Sequence, residues 1–437
     1  MARFIDLFSG LGGFHVALKN LGHQCVLASE INVELRKLYN RNFGQKAMGD
    51  IREIDIHSMP PFDILCGGFP CQPFSKAGKQ DGINDLIRGT LFFEVAKILE
   101  VHRPEYIILE NVPHLARHDN KRTWALMEEK LRELNYDVDL RIYSPHEFGI
   151  PQHRKRVYIV AKYGGNSLSK FDWIDKYRTN EKTSIKSILG NYSLDLNISS
   201  SQLKCLNVWQ EFLNRIDKDE RIGFPIWSFE FGATYPYKRV TPHSCKNLNN
   251  YLGSYGYSLY NEDHTSKYLP SYARVEQSVF PSWKQNYIEL NRNLYDKYQN
   301  TLGDLIESII DLEIPSWQKF EWNCQNESRS LWDKIIQFRA SGVRVKKADY
   351  SPSLVCTPTQ IPIIGSHKRY LSKREGLRLQ SFPEDFHLLS SNNLSFKALG
   401  NAVNVKIIEY IVTELVGVVS PHLQNYVEND QSIAYVD

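Results

Sequence analysis

The first 165 residues alternate between short apolar runs and longer segments whose apolar residues recur at helical spacing. The apolar runs predict β-strands at positions 4–8, 25–30, 62–68, 106–111 and 156–161. The segments between them predict helices at 34–43, 89–102 and 123–134. Such alternation is typical of an α/β fold, so we expect a doubly wound, mostly parallel sheet.

The pattern changes near residue 169. From there to residue 340 strands and helices no longer alternate, and aromatic and Asn/Ser-rich pieces such as YLGSYGYSLYNED appear. We therefore expect a first domain at 1–168 and a second, smaller domain that begins at residue 169. The last segment contains GNAVNVKIIEYIVTELVGVV, which predicts a Gly-Asn turn that opens an apolar helix.

Composition narrows the class of protein. The 437 residues are 42% hydrophobic and 24% charged, which is typical of a soluble globular protein. The start lacks a signal-peptide layout and no apolar run is long enough to span a membrane, so we expect a cytoplasmic protein. Seven cysteines without Cys-x-x-Cys or zinc spacing predict neither a disulfide framework nor a metal site. The net charge of +3 means that an anionic partner would need a local basic surface.

A glycine-rich turn follows the first predicted strand. In DLFSGLGGF, glycines allow a ligand to approach the backbone at a helix N-terminus. Glu30 follows 20 residues after Gly10, where a carboxylate in such folds accepts from ribose hydroxyls. Asp50, at the end of another predicted strand, could accept from an adenine amino group. A glycine-rich loop alone is also compatible with a simple tight turn; the three features together favour a nucleotide-like cofactor.

The stretch GGFPCQPFS places one cysteine between two prolines. Structural cysteines are usually buried on helices or strands, where Pro70 and Pro73 would be disfavoured. A stiff loop that presents the sulfur of Cys71 to a reactant explains the pattern better.

These motifs make the chain resemble the DNA (cytosine-5) methyltransferases of bacterial restriction-modification systems. The resemblance rests on DLFSGLGGF, GDI, GGFPCQPFSKAGKQ, RGTLFFEVAKIL, LENV, PQHRKRVYIVA, REGLRLQSFP and GNAV, in the family's order. It implies a Rossmann-like methyltransferase domain, an inserted target recognition domain at 169–372 and a return to the first domain at 373–437. It also implies S-adenosyl-L-methionine as cofactor, double-stranded DNA as substrate and functional pairing with a restriction endonuclease. We expect a monomer, because the target cytosine in each strand of a short palindrome can be visited in turn.

The resemblance also assigns site residues. Cys71 would add to C6 of a flipped-out cytosine, Glu110 would stabilise the charge that develops on the ring, and Arg154 and Arg156 would assist. At spacing i, i+2, the two arginines are expected on one face of a strand; alone they would be read as a solvated basic edge. The implied cofactor contacts are Phe8, Gly10, Gly12, Gly13, Phe14, Glu30, Asp50, Ile51, Pro70, Leu91 and Asn401. For Asn401, a helix N-cap is the alternative role.

A basic segment borders the inserted domain. Residues 339–374 contain eight Lys/Arg and one acidic residue, which favours phosphate contact over a merely solvated face. The DNA contacts predicted here and in the cysteine loop are Ser75, Lys76, Arg344, Lys346, Lys347 and Arg369. No spacing rule converts the inserted domain into a recognition sequence.

Two alternatives stay open at this point. One branch of the family methylates tRNA, although an inserted domain of this size suits a duplex groove better. A non-catalytic DNA-binding regulator is the other alternative, against which Cys71, Glu110, Arg154 and Arg156 argue.

Overall fold

The computed structural model describes residues 1–70, 91–165, 168, 171–190, 196–312, 314–354 and 360–417. The strands are β1 (Arg3–Leu7), β2 (Gln24–Ser29), β3 (Ile64–Gly67), β4 (Tyr106–Asn111), β5 (Tyr136–Tyr143), β6 (Gln152–His153), β7 (Arg156–Tyr163), β8 (Ile226–Trp227), β9 (Lys319–Asn323), β10 (Ile335–Arg339), β11 (Gly342–Lys346), β12 (Ser351–Pro352), β13 (Ile363–Ile364) and β14 (Arg369–Tyr370). The helices are α1 (Gly13–Asn20), α2 (Val33–Phe43), α3 (Leu91–His102), α4 (Arg122–Glu133), α5 (Ser200–Arg215), α6 (Glu262–Tyr268), α7 (Ser282–Ile310), α8 (Lys373–Leu379), α9 (Asn392–Asn401) and α10 (Val405–Val416).

The described residues divide into two compact units. The first comprises residues from 1–190, 349–358 and 372–437, and the second comprises residues from 191–348 and 359–371. The second unit therefore begins later than the predicted boundary at residue 169. The reason is packing: the Tyr177 hydroxyl donates to Glu414 on α10 at 2.6 Å, and Arg378 on α8 donates to the carbonyl of Ile188 at 2.9 Å.

The first unit contains a six-stranded sheet in the order β2-β1-β3-β4-β7-β5. Strands β2, β1, β3 and β4 run parallel, whereas β7 is antiparallel to both β4 and β5. All four residues of β3 are buried, as expected for a central parallel strand with both faces covered. The mostly parallel α/β fold is confirmed.

Strand β5 was absent from the predicted pattern. Asp137, Asp139 and Arg141 interrupt its apolar residues, so no continuous apolar run marks it. Of its residues only Tyr136, Val138 and Tyr143 are buried, in keeping with the position of β5 at the edge of the sheet.

The predicted helix start at Gly400–Asn401 is wrong. Asn401 is the last residue of α9, and α10 begins at Val405 after Asn404, whose side chain accepts from the backbone N–H of Ile407 at 3.2 Å. The helix N-cap therefore belongs to Asn404 and not to Asn401.

The second unit is built on its own six-stranded sheet, in the order β14-β13-β10-β11-β9-β8. Helices α5 and α7 pack against each other, and their apolar faces join Phe320, Val343 and Val345 of the sheet in one core. A smaller apolar cluster holds the loop-rich segment between β8 and α7, including Tyr235 and Leu259. Across the described ranges of both units, no helix has the length and apolarity needed to cross a bilayer.

Candidate active site

A cavity of about 930 Å³ lies in the first unit, at the carboxyl ends of the parallel strands. Phe8 follows β1, Glu30 follows β2, Gly68 follows β3 and Glu110 lies near the end of β4, and all four line the cavity. In open α/β sheets this edge is where ligands bind. The cavity therefore has the location and volume of a small-molecule site.

The glycine-rich turn forms one wall and is held by Glu30. One carboxylate oxygen of Glu30 accepts from the backbone N–H of Gly10 at 2.9 Å, and the other accepts from that of Asn32 at 2.8 Å. Phe8, Gly10 and Gly12 have positive φ angles of 56°, 54° and 81°. For Phe8 this left-handed conformation is strained, as is common at ligand sites.

Gly13 allows α1 to approach the segment that follows α9. A Cβ added there would lie 2.6 Å from Cγ2 of Val403. Gly13 and Val403 both line the cavity, so this close approach shapes the wall.

Gly12 is the one predicted cofactor residue that does not line the cavity. It is the N-cap of α1, and a Cβ there would meet the ring of Phe43 at 2.5 Å.

We expect Gly12→Ala to destabilise the fold by about 2–4 kcal/mol, from strain in the left-handed region and overpacking. Gly44→Ala is the matched control: φ is 67° and no atom lies within 4 Å of its Cβ position.

Urea denaturation would measure both glycine variants. Gly44→Ala is expected to show only the conformational cost, about 1 kcal/mol. Equal losses in the two variants would contradict the packing role of Gly12.

Asp50 lies on the cavity wall, but it does not end a strand as predicted. The backbone forms only an isolated bridge between Ser29 and Met48, and Asp50 caps a short 3-10 helix over Ile51–Glu53. Arg52 donates from Nε to the Asp50 carboxylate at 3.0 Å. These hydrogen bonds lower the pKa of Asp50 to about 2, which keeps it an ionised acceptor.

Glu110 is the buried carboxylate of the cavity. Its side chain is 8% exposed, and one carboxylate oxygen lies 2.9 Å from Nε of Arg156. Burial raises the pKa of Glu110, and the guanidiniums of Arg156 and Arg154 oppose this shift. A buried carboxyl with a raised pKa in a cavity is the expected state of a group that donates a proton or hydrogen bond.

Arg154 and Arg156 both line the cavity, but they do not lie on one strand as predicted. Arg156 begins β7, whereas Arg154 lies between β6 and β7. Arg154 is 2% exposed and donates to the carbonyl of Ala402 at 3.0 Å. It therefore ties this segment to the link between α9 and α10, while Arg156 pairs with Glu110.

Cys71, Ser75 and Lys76 lie outside the described residues. Pro70 and Leu91, the described residues on either side of that gap, both line the cavity. The remaining predicted cofactor residues, Phe14, Ile51 and Asn401, line it as well.

Sequence reasoning missed other residues of the cavity wall. Ile31 is an apolar side chain with 67% exposure, as expected of a surface that a ligand would cover. The Asn111 side chain donates to the carbonyl of Phe69 at 2.8 Å and so holds the segment before Pro70. Ile31 could have been predicted as part of the cavity wall, because it directly follows Glu30 in the sequence.

The predicted DNA contacts of the inserted domain belong to the second unit. They differ in whether the side chain is free to contact a phosphate. Arg344 pairs with Glu321, and Lys347 pairs with Glu327 at 3.1 Å. Arg369 is 4% exposed and donates to the carbonyl of Tyr370 at 2.9 Å, so it offers little surface to a phosphate.

Comparison with known proteins gives a consistent result. A family model of the C-5 cytosine-specific DNA methylases matches residues 2–417. The Type II methyltransferase M.BanI of Aneurinibacillus aneurinilyticus is 31% identical over 94% of this chain and 95% of its own length. The Type II methyltransferase M.AluI of Cellulosimicrobium cellulans is 29% identical over 94% and 91%. A putative DNA modification methyltransferase encoded within an E. coli prophage has a similar fold, with a TM-score of 0.52 at 19% identity over 96% of this chain and 99% of that one.

Proposed function

The chain belongs to the C-5 cytosine-specific DNA methylases, and we propose that it transfers a methyl group from S-adenosylmethionine to one cytosine within a short duplex sequence. We further propose that this modification protects the host DNA from a cognate restriction endonuclease, as the similarity to Type II methyltransferases suggests. The observation that carries the proposal is the cavity, in which Glu30 and the Glu110–Arg156 pair face one space. The RNA alternative gains no support, because the matching family model is one of DNA methylases.

The residues of the cavity fit S-adenosylmethionine. Each carboxylate oxygen of Glu30 accepts one backbone hydrogen bond, which leaves acceptor capacity for the two ribose hydroxyls. Asp50 would accept from the adenine amino group, while Ile31, Phe8 and Ile51 offer apolar surface to the ring. When bound, S-adenosylmethionine supplies an electrophilic methyl group.

Cys71 is proposed as the nucleophile. It directly follows Pro70 of the cavity wall. Cytosine C5 is weakly nucleophilic, so the thiolate first forms a bond from sulfur to C6, which makes C5 electron-rich enough to attack the methyl group. Methyl transfer would leave S-adenosylhomocysteine. Solvent water then takes the C5 proton, the C–H electron pair forms the C5–C6 double bond, and the S–C6 bond breaks, which releases 5-methylcytosine and regenerates the thiolate. The base must leave the duplex to reach this sulfur.

Glu110 is proposed to hold the target base at ring N3 and the exocyclic amine. Addition at C6 pushes electron density onto N3, and a protonated carboxyl there neutralises it. Burial favours that protonated form, and Arg156 fixes the orientation of the carboxyl. Arg154 holds the neighbouring backbone in place through Ala402.

Replacement of Glu30 tests the proposed cofactor subsite. We expect Glu30→Ala to weaken binding of S-adenosylhomocysteine by about 10- to 100-fold, since charge-assisted hydrogen bonds are lost and the Gly10 N–H is left without its acceptor. Isothermal titration calorimetry measures the affinity directly. Glu53→Ala, an exposed carboxylate nearby that does not line the cavity, is the control. An affinity of Glu30→Ala within twofold of wild type would contradict the assignment.

Transfer of a radiolabelled methyl group tests the proposed reaction. Purified protein is incubated with labelled S-adenosylmethionine and either plasmid duplex or total tRNA. Label in the duplex alone, recovered as 5-methylcytosine, is the expected result. Label confined to tRNA would overturn the proposed substrate.

A further inference from the structure

One face of the sheet in the second unit carries a concentration of positive charge. Val343 and Val345 of β11 point into the core, so the alternation of the strand places Arg344 and Lys346 on the opposite face. On β10, Phe338 points into the core, which puts Arg339 on the same side as these two cations. We call Arg339, Arg344 and Lys346 the cationic face.

The pairing of the strands brings these three side chains together. Strands β10 and β11 are antiparallel, with Gln337 opposite Arg344 and Arg339 opposite Gly342. Arg339 and Arg344 are therefore diagonal neighbours, a separation that long side chains bridge. Lys346 lies two residues beyond Arg344 on the same face.

The protein itself balances only part of this charge. Arg344 forms an ion pair with Glu321 on β9. Nη1 of Arg339 is buried without a hydrogen-bond partner, and Lys346 forms no ion pair with a carboxylate of the described chain. Burial lowers the pKa of both Arg339 and Lys346, and repulsion from Arg344 adds to the effect. Half-buried cations that repel one another are unfavourable unless an anion joins them.

We propose that the cationic face binds a backbone phosphate of the duplex, with Arg339 and Lys346 as the principal donors. The proposal rests on the proposed function, which supplies duplex DNA as the anion. A guanidinium and an ammonium on a rigid sheet match the several acceptor oxygens of one phosphate. A base contact fits less well, because partly buried side chains would not reach the floor of a major groove about 8.5 Å deep.

This assignment changes the set of DNA contacts predicted in the inserted domain. Arg339 joins the set, and Lys346 becomes a stronger candidate because it forms no ion pair with any carboxylate of the described residues. Lys347 and Arg369 become weaker candidates for DNA contact. Lys347 is paired with Glu327, and Arg369 is buried. Pairing of this kind depends on strand register, which the sequence of the basic segment does not reveal.

The test is the salt dependence of duplex binding by Arg339→Gln, with Lys346→Gln as an independent second variant. Fluorescence anisotropy in the presence of S-adenosylhomocysteine measures affinity between 50 and 200 mM salt for two 30-base-pair duplexes, one of random sequence and one carrying the methylated motif. Each released phosphate contact lowers the slope of log K against log salt by about 0.9. We expect that reduction, with roughly tenfold weaker binding to both duplexes. Lys218→Gln, an exposed cation outside the cationic face, controls for net charge.

The outcomes separate this inference from the proposed function. An unchanged salt slope in folded Arg339→Gln and Lys346→Gln would overturn the phosphate assignment, while methylation by the wild type would still stand. A loss confined to the motif-bearing duplex would also overturn it, because that result is typical of a base contact. Arg339→Lys keeps the charge and is expected to restore most of the slope. Thermal melting of each variant establishes that it is folded before binding is measured.

Discussion

The Cys71→Ala variant is expected to lose methyl transfer to duplex DNA entirely, with a fall of at least about 10⁴-fold in turnover. Without the thiolate no bond forms at C6, so C5 stays a poor nucleophile toward the methyl group. Binding of S-adenosylhomocysteine is expected to change less than twofold, because the cofactor contacts proposed for Glu30 and Asp50 are untouched. Single-turnover transfer of labelled methyl to a duplex with the target motif measures the effect.

A matched cysteine variant separates nucleophilic chemistry from a general effect of thiol loss. Cys25 is half-buried in β2, and burial raises the pKa of its thiol to about 12, so it holds no thiolate at neutral pH. Cys25→Ala is expected to keep full activity. Cys71→Ala that still produces 5-methylcytosine would refute the proposed mechanism, whatever the behaviour of Cys25→Ala.

Replacement of the buried carboxyl should have the second largest effect. Glu110→Gln preserves shape but cannot donate the carboxyl proton to N3, so we expect turnover to fall by about 10²- to 10⁴-fold. Cofactor affinity should be retained. Glu147→Gln is a suitable control, since burial also raises the pKa of Glu147, yet that residue pairs with Arg178 and does not line the cavity.

The pH profile gives a second test of Glu110. Burial raises its pKa, so the protonated, donating form persists to higher pH than for an exposed carboxyl and is lost as pH rises through that pKa. The wild-type rate should therefore show a descending limb that Glu110→Gln lacks. A descending limb of the same midpoint in Glu110→Gln would assign that limb to another group.

Much of the cavity was predictable from the sequence because its residues follow directly after strands. A glycine-rich turn and a carboxylate about 20 residues later each mark one corner of a parallel sheet. Glu30 was found in this way, whereas Asp50 was found from an expected strand end that the structure replaces with the cap of a 3-10 helix, and Glu110 was assigned by the family resemblance; all three line one cavity. The position of a residue relative to a strand depends on its neighbours in the sequence, so it can be predicted from the sequence alone.

Properties that depend on distant residues were not predictable. The pairing of Arg344 with Glu321 follows from the register of β11 against β9, and the N-cap at Asn404 from where α9 ends. Gly12 is required by the ring of Phe43, which lies 31 residues away in sequence. In the second unit, α5 and α7 are separated by a long irregular segment, so no repeating pattern indicated that their faces share one core.

The most direct test of the central claim is base-resolution cytosine methylation sequencing of bacterial host DNA after expression of this protein. The proposed function predicts 5-methylcytosine at one position of one short motif across the genome, in cells that express the wild type and not in cells that express Cys71→Ala. An unmethylated genome in cells with abundant soluble protein would contradict it, and so would methylation that follows no motif.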